Sequence, residues 1–384
     1  MHLKIAIFFS SFMHYHTARC KALQVIGETN GYKIIIYSLR DKSPELPIMG
    51  THDMIKENIT VLSNSRAPLN SFNMTISLIA ALNRDQPDAV LIPGYRDWPC
   101  YAALAWCKVN SRLAVLMSES QTRDFPRVRW REAIKRSLLK LFDAALVGGT
   151  PQVEYARELG FSPEVIFTGY DAVDNLFWQQ QADLARLKGH GWRIKLGLPE
   201  RFFVAAKRFI PKKNIFELIK AYTLYKSWAG EKAWSLVICG SGPLEDEIRG
   251  LIETVGLQSD ILLPGYKNAE EMAVFYGLAS AFIHASSHAE QWGLVVNEAM
   301  AAELPVLVSE ICGCAKDLVQ NGVNGFTFDP FDVEGLALLM LKMSSGQVDL
   351  EAMGAASRRI IAAWTPETFA RNLLQAVEAA GMKR

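Results

Sequence analysis

The chain has 384 residues, half of them hydrophobic, with 41 basic and 40 acidic side chains. That length suggests two domains with sizeable cores, and the near-cancelled charge excludes a general preference for polyanions, so nucleic acid is not the expected partner. No run approaches the ~20 apolar residues of a membrane span.

In chain order, the opening MHLKIAIFFSSFMHYH lacks the length and cleavage site of a signal peptide, and LKIAIFF reads as a strand. KIIIY, AVLIPG, RLAVLMSES and DAALVGG repeat that strand signal. Between them lie helical patterns such as TARCKALQVIGETNG and FNMTISLIAALNRDQ. Strands of about five residues alternating with helices predict an α/β, doubly wound parallel sheet. The segment TGYDAVDNLFWQQQADLARLKGHGW has no strand period. We place the inter-domain hinge there, near residue 170, giving domains of 1–170 and 171–364. The second half repeats the pattern with FFVAAKR, WSLVICGSG, DILLPGY, SAFIHAS, PVLVSE and NGFTFDP. Two such sheets, facing each other, put a ligand cleft at their strands' carboxyl ends.

Cys20, Cys100, Cys107, Cys239, Cys312 and Cys314 sit mostly in apolar surroundings, which suits reduced thiols and a cytoplasmic location. No metal site is expected. Cys312 and Cys314 lack a second ligand pair, and a strand ends between His284 and His288.

Three strand ends carry polar groups. After FFVAA come Lys207, Arg208, Lys212 and Lys213, just before a helix. Arg208 and Lys213 can clamp two phosphates there, although a solvated basic turn fits these residues equally well. After VIC, the turn Gly240-Ser241-Gly242-Pro243 offers glycines that let a ligand approach the backbone. Glu245, Asp246 and Glu247 follow as helix-start carboxylates, not as a metal pair. After SAFIHA, the loop Ser286, Ser287, His288, Glu290, Gln291 leads to Gly293, which opens an apolar helix containing Glu298. The helix start can seat a phosphate. Glu290 and Glu298, eight residues apart, lie within ~12 Å along a helix. They can therefore accept hydrogen bonds from the two polyol ends of a nucleotide sugar. A buried carboxylate needs such donors, but a lysine from a neighbouring element would satisfy Glu298 as well.

The order R-x4-K, G-x-G-P, E-x7-E and then GCAKDLVQNGVNGFTFDP resembles the retaining glycosyltransferases of family 4, over residues 200 to 335. TGYDAVDNLFW looks like that family's inter-domain segment. The tail, residues 365–384, is similar to its final helix, which crosses back onto the N-terminal domain. The resemblance implies a GT-B fold of two Rossmann-like domains, an acceptor-binding N-terminal one and a donor-binding C-terminal one. It implies that Arg208 and Lys213 bind the diphosphate and that Glu290 contacts the donor sugar. Trp292, Gly293 and Leu294 would lie near the β-phosphate, Glu298 at the ribose, and Gly240, Gly242 and Tyr266 near the nucleotide. Lys207 stands where the family has glycine, Glu303 replaces the glycine before LP, and Cys314 and Asp317 replace a glycine and a glutamate. The family's glycine pair after the first strand is absent; His14, Tyr15, His16 and Arg19 offer polar groups instead. Its histidine after the fifth strand is also absent, and Glu119 is the candidate acceptor-side base.

The function so implied is sugar transfer with retention from a nucleotide diphosphate sugar, UDP ahead of GDP, to an acceptor hydroxyl in polysaccharide, glycolipid or glycoconjugate synthesis. No metal or other cofactor is needed where side-chain cations stabilise the leaving diphosphate. The segment TRDFPRVRWREAIKRSLLKLFDAALV carries Arg123, Arg127, Arg129, Arg131, Lys135, Arg136 and Lys140, with Trp130, Ile134, Leu138 and Leu141 at helical spacing. Such a basic amphipathic helix, residues 123–140, can lie on an anionic membrane face and meet a lipid-linked acceptor; a core-facing helix with a basic solvent side is the plainer alternative. An epimerase or hydrolase on the same fold, or a non-catalytic nucleotide-sugar binder, would share the pocket.

Overall fold

The computed structural model describes residues 3–40, 59–62, 71–124, 126–288 and 290–382. The chain falls into two units. One comprises the chain up to Thr122, Pro126–Asp174 and the chain from Trp364 on; the other is built mainly from Asn175–Ala363.

The first unit contains β1 (Leu3–Phe9), α1 (His14–Thr29), β2 (Tyr32–Ser38), β3 (Ile59–Val61), α2 (Ser71–Asp85) and β4 (Ala89–Pro93). It continues with α3 (Trp98–Val109), β5 (Leu113–Ser118), α4 (Arg129–Leu139), β6 (Ala144–Val147), α5 (Thr150–Glu158) and β7 (Ile166–Phe167). The strands pair in parallel in the order β3-β2-β1-β4-β5-β6-β7. Central strands are buried on both faces, which is why they read as unbroken apolar runs: Ile5 to Phe8 and Val90 to Ile92 are fully covered. The two edge strands gave no such run. They are three and two residues long, and an edge strand is paired on one side only, so little sequence is needed to specify it.

The second unit contains α6 (Asn175–Leu187), α7 (Gly189–Leu196), β8 (Phe202–Ala206), α8 (Ile215–Ala229), β9 (Ser235–Cys239), α9 (Glu245–Thr254), β10 (Ile261–Leu262) and α10 (Ala269–Leu278). Then come β11 (Ala281–His284), α11 (Leu294–Ala301), β12 (Val306–Ser309), α12 (Ala315–Leu318), β13 (Gly325–Phe328), α13 (Val333–Ser344) and α14 (Leu350–Ile361). Its six strands are parallel in the order β10-β9-β8-β11-β12-β13, and each matches an apolar run of the second half. Helix α15 (Pro366–Met382) returns to the first unit. Phe369, Leu373 and Val377 enter that unit's core, and Asn372 Nδ2 donates to the Thr168 carbonyl at 2.9 Å.

Both orders reverse direction once, between β1 and β4 and between β8 and β11. At such a switch point the connections leave on opposite faces and open a crevice at the carboxyl ends of the two strands. In the second unit those ends are Ala206 and His284.

Candidate active site

The loop after β8 is stitched to the loop after β9. Lys207 N donates to Cys239 O at 2.9 Å and Phe209 N to Ser241 O at 2.8 Å. A Cβ on Gly240 would lie 1.7 Å from the Lys207 carbonyl oxygen, and one on Gly242 2.6 Å from that of Phe209. The backbone approach these glycines permit includes the chain's own 207–209 loop, so they seat the basic loop. Gly240 N also donates to Gly265 O at 2.9 Å, which brings the half-buried Tyr266 beside the same turn.

The basic loop then makes a 3₁₀ turn at Pro211–Lys213, and Asn214, in the left-handed region at φ 56°, caps α8. Asn and Gly adopt that conformation at least cost. The turn is held from two sides: Ser287 N donates to Lys212 O at 3.0 Å and Lys207 Nζ to Lys213 O at 3.2 Å. Arg208 is exposed, whereas Lys207 is buried. Burial, then the neighbouring Lys213 charge, lowers Lys207 to about 7; Cys312 and Glu290 oppose the shift.

Glu290 lies over this turn and is buried, as are Ser286 and His284. Its Oε2 accepts from Lys213 Nζ and, at 2.8 Å, from Ser286 Oγ. His284 Nε2 is 3.7 Å from the same oxygen and 3.3 Å from Ser286 Oγ. Burial alone would raise the Glu290 carboxyl. The His284 imidazole and the Lys213 ammonium reverse that and hold it well below the usual carboxylate range.

The start of α11 is fixed by three contacts. Trp292 Nε1 donates to Asn297 Oδ1 at 2.9 Å, Gly313 N to Glu290 O at 3.0 Å and Cys314 N to Trp292 O at 3.3 Å. Gly293 caps the helix at φ 111°, where a Cβ would be strained and would lie 3.2 Å from His284 Nε2. The first amides of a helix have no intrahelical acceptor and carry the positive end of its dipole. One turn into α11, buried Glu298 accepts from Tyr276 Oη at 3.1 Å.

The second unit thus gathers Lys213, Glu290 and the α11 start at its switch point, with Arg208 exposed in the same loop and Glu298 behind. His284 entered the sequence reading only as half of an unpromising histidine pair. The available signal was a polar residue closing an apolar strand.

The candidates of the first unit are placed differently. His14 opens α1, and its side chain lies outside the described residues. His16 and Arg19, expected to offer polar groups at the cleft, are buried. The His16 ring stacks on Phe9 with centroids 4.0 Å apart, and its Nδ1 accepts from Met13 N at 3.0 Å, capping α1. Arg19 donates from Nε to Ala172 O at 2.7 Å, and its guanidinium lies over the rings of Tyr15 and Tyr170. Its Nη2 is 3.9 Å from Asp171 Oδ1. Burial and the charge of Glu119 push the Asp171 carboxyl well above its ordinary range, against the pull of Arg19. The basic helix α4 turns Leu138 and Leu139 to the core but leaves Trp130 61% and Ile134 59% exposed.

Residues 192–360 match the family described as Glycosyl transferases group 1. The chain is 29% identical over 164 residues to exopolysaccharide phosphotransferase SCO2592 of Streptomyces coelicolor, covering 43% of this chain and 17% of that protein. To sulfoquinovosyl transferase SQD2 of Arabidopsis thaliana it is 25% identical over 364 residues, covering 87% of this chain and 67% of that one. The chain therefore spans less than a fifth of the length of the first relative and about two thirds of the second. A solved structure of HepE from Anabaena in complex with UDP and glucose has a TM-score of 0.74 at 15% identity, covering 98% of this chain and all of that one. That likeness shows the fold, two Rossmann-like parallel-sheet domains of GT-B type. Residues 192–360 therefore match the Glycosyl transferases group 1 model, and the chain carries the GT-B fold.

Proposed function

We propose that the protein transfers a hexose, with retention, from a nucleoside diphosphate sugar to an acceptor hydroxyl. The observation that carries this reading is the Lys213–Glu290 pair at the switch point of the second sheet, beside the start of α11. In the bound state Lys213 and Arg208 neutralise the diphosphate, aided by the first amides of α11 behind Trp292, Gly293 and Leu294. Glu290 accepts from the sugar hydroxyls and Glu298 from the ribose, while Gly240 and Tyr266 border the nucleotide and Gly242 seats the basic loop. As the bond from the anomeric carbon to the phosphate oxygen breaks, negative charge grows on the diphosphate, where fixed positive groups are worth most. The acceptor oxygen attacks from the same face, and its proton passes to the departing phosphate oxygen. These side chains supply the charge that a divalent metal supplies elsewhere.

A UDP-sugar is the first donor to test, since UDP and glucose occupy the HepE structure. Thermal-shift screening with UDP, GDP, ADP and dTDP reads the preference directly; a ligand at 100 times its Kd stabilises by about 2.7 kcal/mol. Stabilisation by none of the four overturns the assignment. Chromatography of the products with and without a hydroxyl acceptor then separates transfer from hydrolysis or epimerisation.

The first unit, with its returning helix α15, is the acceptor domain in this reading, and Glu119, beside Asp171, is the candidate to orient the acceptor hydroxyl while the departing phosphate takes its proton. The exposed Trp130 and Ile134 are flanked by exposed Arg129, Arg131 and Lys140. This favours contact with an anionic membrane surface and a lipid-linked acceptor for polysaccharide or glycolipid synthesis. The buried free cysteines accord with work at a cytoplasmic face.

A further inference from the structure

We infer that His284, acting through Ser286, is a positioning residue that fixes the carboxylate of Glu290 when Lys213 is drawn away to the donor's diphosphate. The inference rests on the donor-site reading above and deepens it.

The proton positions follow from the inventory of donors. Glu290 is ionised and only accepts, so the single Ser286 hydroxyl proton points to Glu290 Oε2, 2.8 Å away. Ser286 Oγ is then left to accept, and the ring nitrogen 3.3 Å from it is His284 Nε2. Burial, Lys207 and Lys213 lower His284 to about 4 against the pull of Glu290, so the ring is neutral and carries one N–H. Placing that proton on Nε2 gives a continuous relay: Nε2–H donates to Ser286, and Ser286 donates to Glu290. The opposite tautomer would bury a donor at Nδ1, which has no hydrogen-bond partner among the described residues. An orphaned N–H is the rarer and costlier defect.

Neutrality gives the relay its use. Lys213 is held by Glu290 in the free protein, and a diphosphate competes for the same ammonium. When Lys213 shifts toward phosphate, Glu290 loses its charged partner but keeps Ser286. The relay carries no net charge and cannot itself be captured by the phosphates. His284 also sits under Gly293, so the same ring fixes the carboxylate and fits against the start of α11.

The test compares His284→Phe, which keeps the ring's bulk without the N–H, with His284→Gln, which restores a donor, and with Ser286→Ala. The expected result for His284→Phe and Ser286→Ala is a loss of about tenfold in kcat, the lower end for residues that orient a ligating group. Donor KM should stay within about twofold, the split expected when positioning rather than ground-state binding is lost. His284→Gln should recover most of the loss. Nitrogen-15 spectra of the wild-type imidazoles should show His284 as the Nε2–H tautomer from about pH 5.5 to 8, without the midpoint of an ordinary histidine, and its shift should move in Ser286→Ala. Wild-type kcat in His284→Phe, or an Nδ1–H or protonated His284 in those spectra, overturns the inference. Failure of the donor reading appears separately, as wild-type protein that neither binds a nucleotide nor turns over a donor. In that outcome the positioning role falls with it, and the spectra still decide the relay.

Discussion

The two units share one sheet order around their switch points, yet they use the crevice there differently. In the second unit polar side chains collect at the strand ends and remain within reach of a ligand: the side chains of Lys213 and Glu290 are 12% and 11% exposed. In the first unit the polar groups near β1 are turned inward. Arg19 and Asp171 are fully buried, and His16 is spent on capping its own helix. Topology therefore fixes where a crevice opens, and side-chain burial decides whether it recognises charge or holds its own walls together.

Charge removal should separate the two. In the second unit, Arg208→Ala and Lys213→Ala should each lower kcat about 100-fold, near 3 kcal/mol of transition-state stabilisation. Steady-state kinetics with saturating donor checks this. Stability should distinguish them, because Arg208 is exposed while Lys213 neutralises a buried carboxylate. Lys213→Ala should therefore melt several degrees lower and Arg208→Ala should not. In the first unit, Arg19→Met should destabilise by about 2 kcal/mol, because it leaves the Ala172 carbonyl without its buried donor and removes the guanidinium from the rings of Tyr15 and Tyr170, with nucleotide affinity unchanged. A fall in UDP affinity in Arg19→Met would erase the contrast between the units.

How much of this was legible in the sequence depended on what each residue's neighbours were. All six strands of the second sheet were visible because buried parallel strands are apolar on both faces. R-x4-K and E-x7-E were visible because each lies within one short stretch of chain, a loop for the first and a loop with the helix it opens for the second. Contacts between separate segments were not. Gly240 and Gly242 look like ligand-approach glycines, and nothing local shows the 207–209 backbone against them. Lys207 looks like one more surface cation, and nothing local reveals that Lys213 and Glu290 border it. Asp171 lies in a stretch that reads as linker, and its partners Arg19 and Glu119 come from α1 and the end of β5.

Lys207 gives the comparison a pH dependence. Its folded pKa, about 7, is below the unfolded value of 10.5, so the unfolded chain binds the proton more tightly. The free protein should therefore gain stability from this group as pH rises from about 7 toward 10.5. The donor site should change in the opposite sense. Losing the ammonium beside Lys213 and Glu290, with Cys312 and His284 the other titratable neighbours, removes positive charge facing a diphosphate. UDP affinity measured calorimetrically should fall roughly fivefold between pH 6 and 8.5, about 1 kcal/mol for one screened charge. Lys207→Met should flatten both trends. A wild-type pH dependence retained in that variant would place the titrating group elsewhere.

The smallest effect concerns the surface of α4. Arg127 and Lys135 pair with Glu132, and Arg136 donates to Glu158 O, so these cations are partly engaged within the protein. The exposed Arg129 and Lys140, with Arg131 over the Trp130 ring, face outward and can meet anionic lipid, at about 1 kcal/mol each near the surface. Trp130 and Ile134, one turn apart, add apolar area that salt does not screen. Co-sedimentation with phosphatidylserine-containing vesicles should therefore be weakened, not abolished, by high salt. Trp130→Ser with Ile134→Ser should leave only a salt-sensitive remainder. Neither change should alter UDP affinity, because the groups proposed to hold the nucleotide all belong to the second unit. Vesicle binding that survives both high salt and the double substitution would mean that a different face meets the lipid.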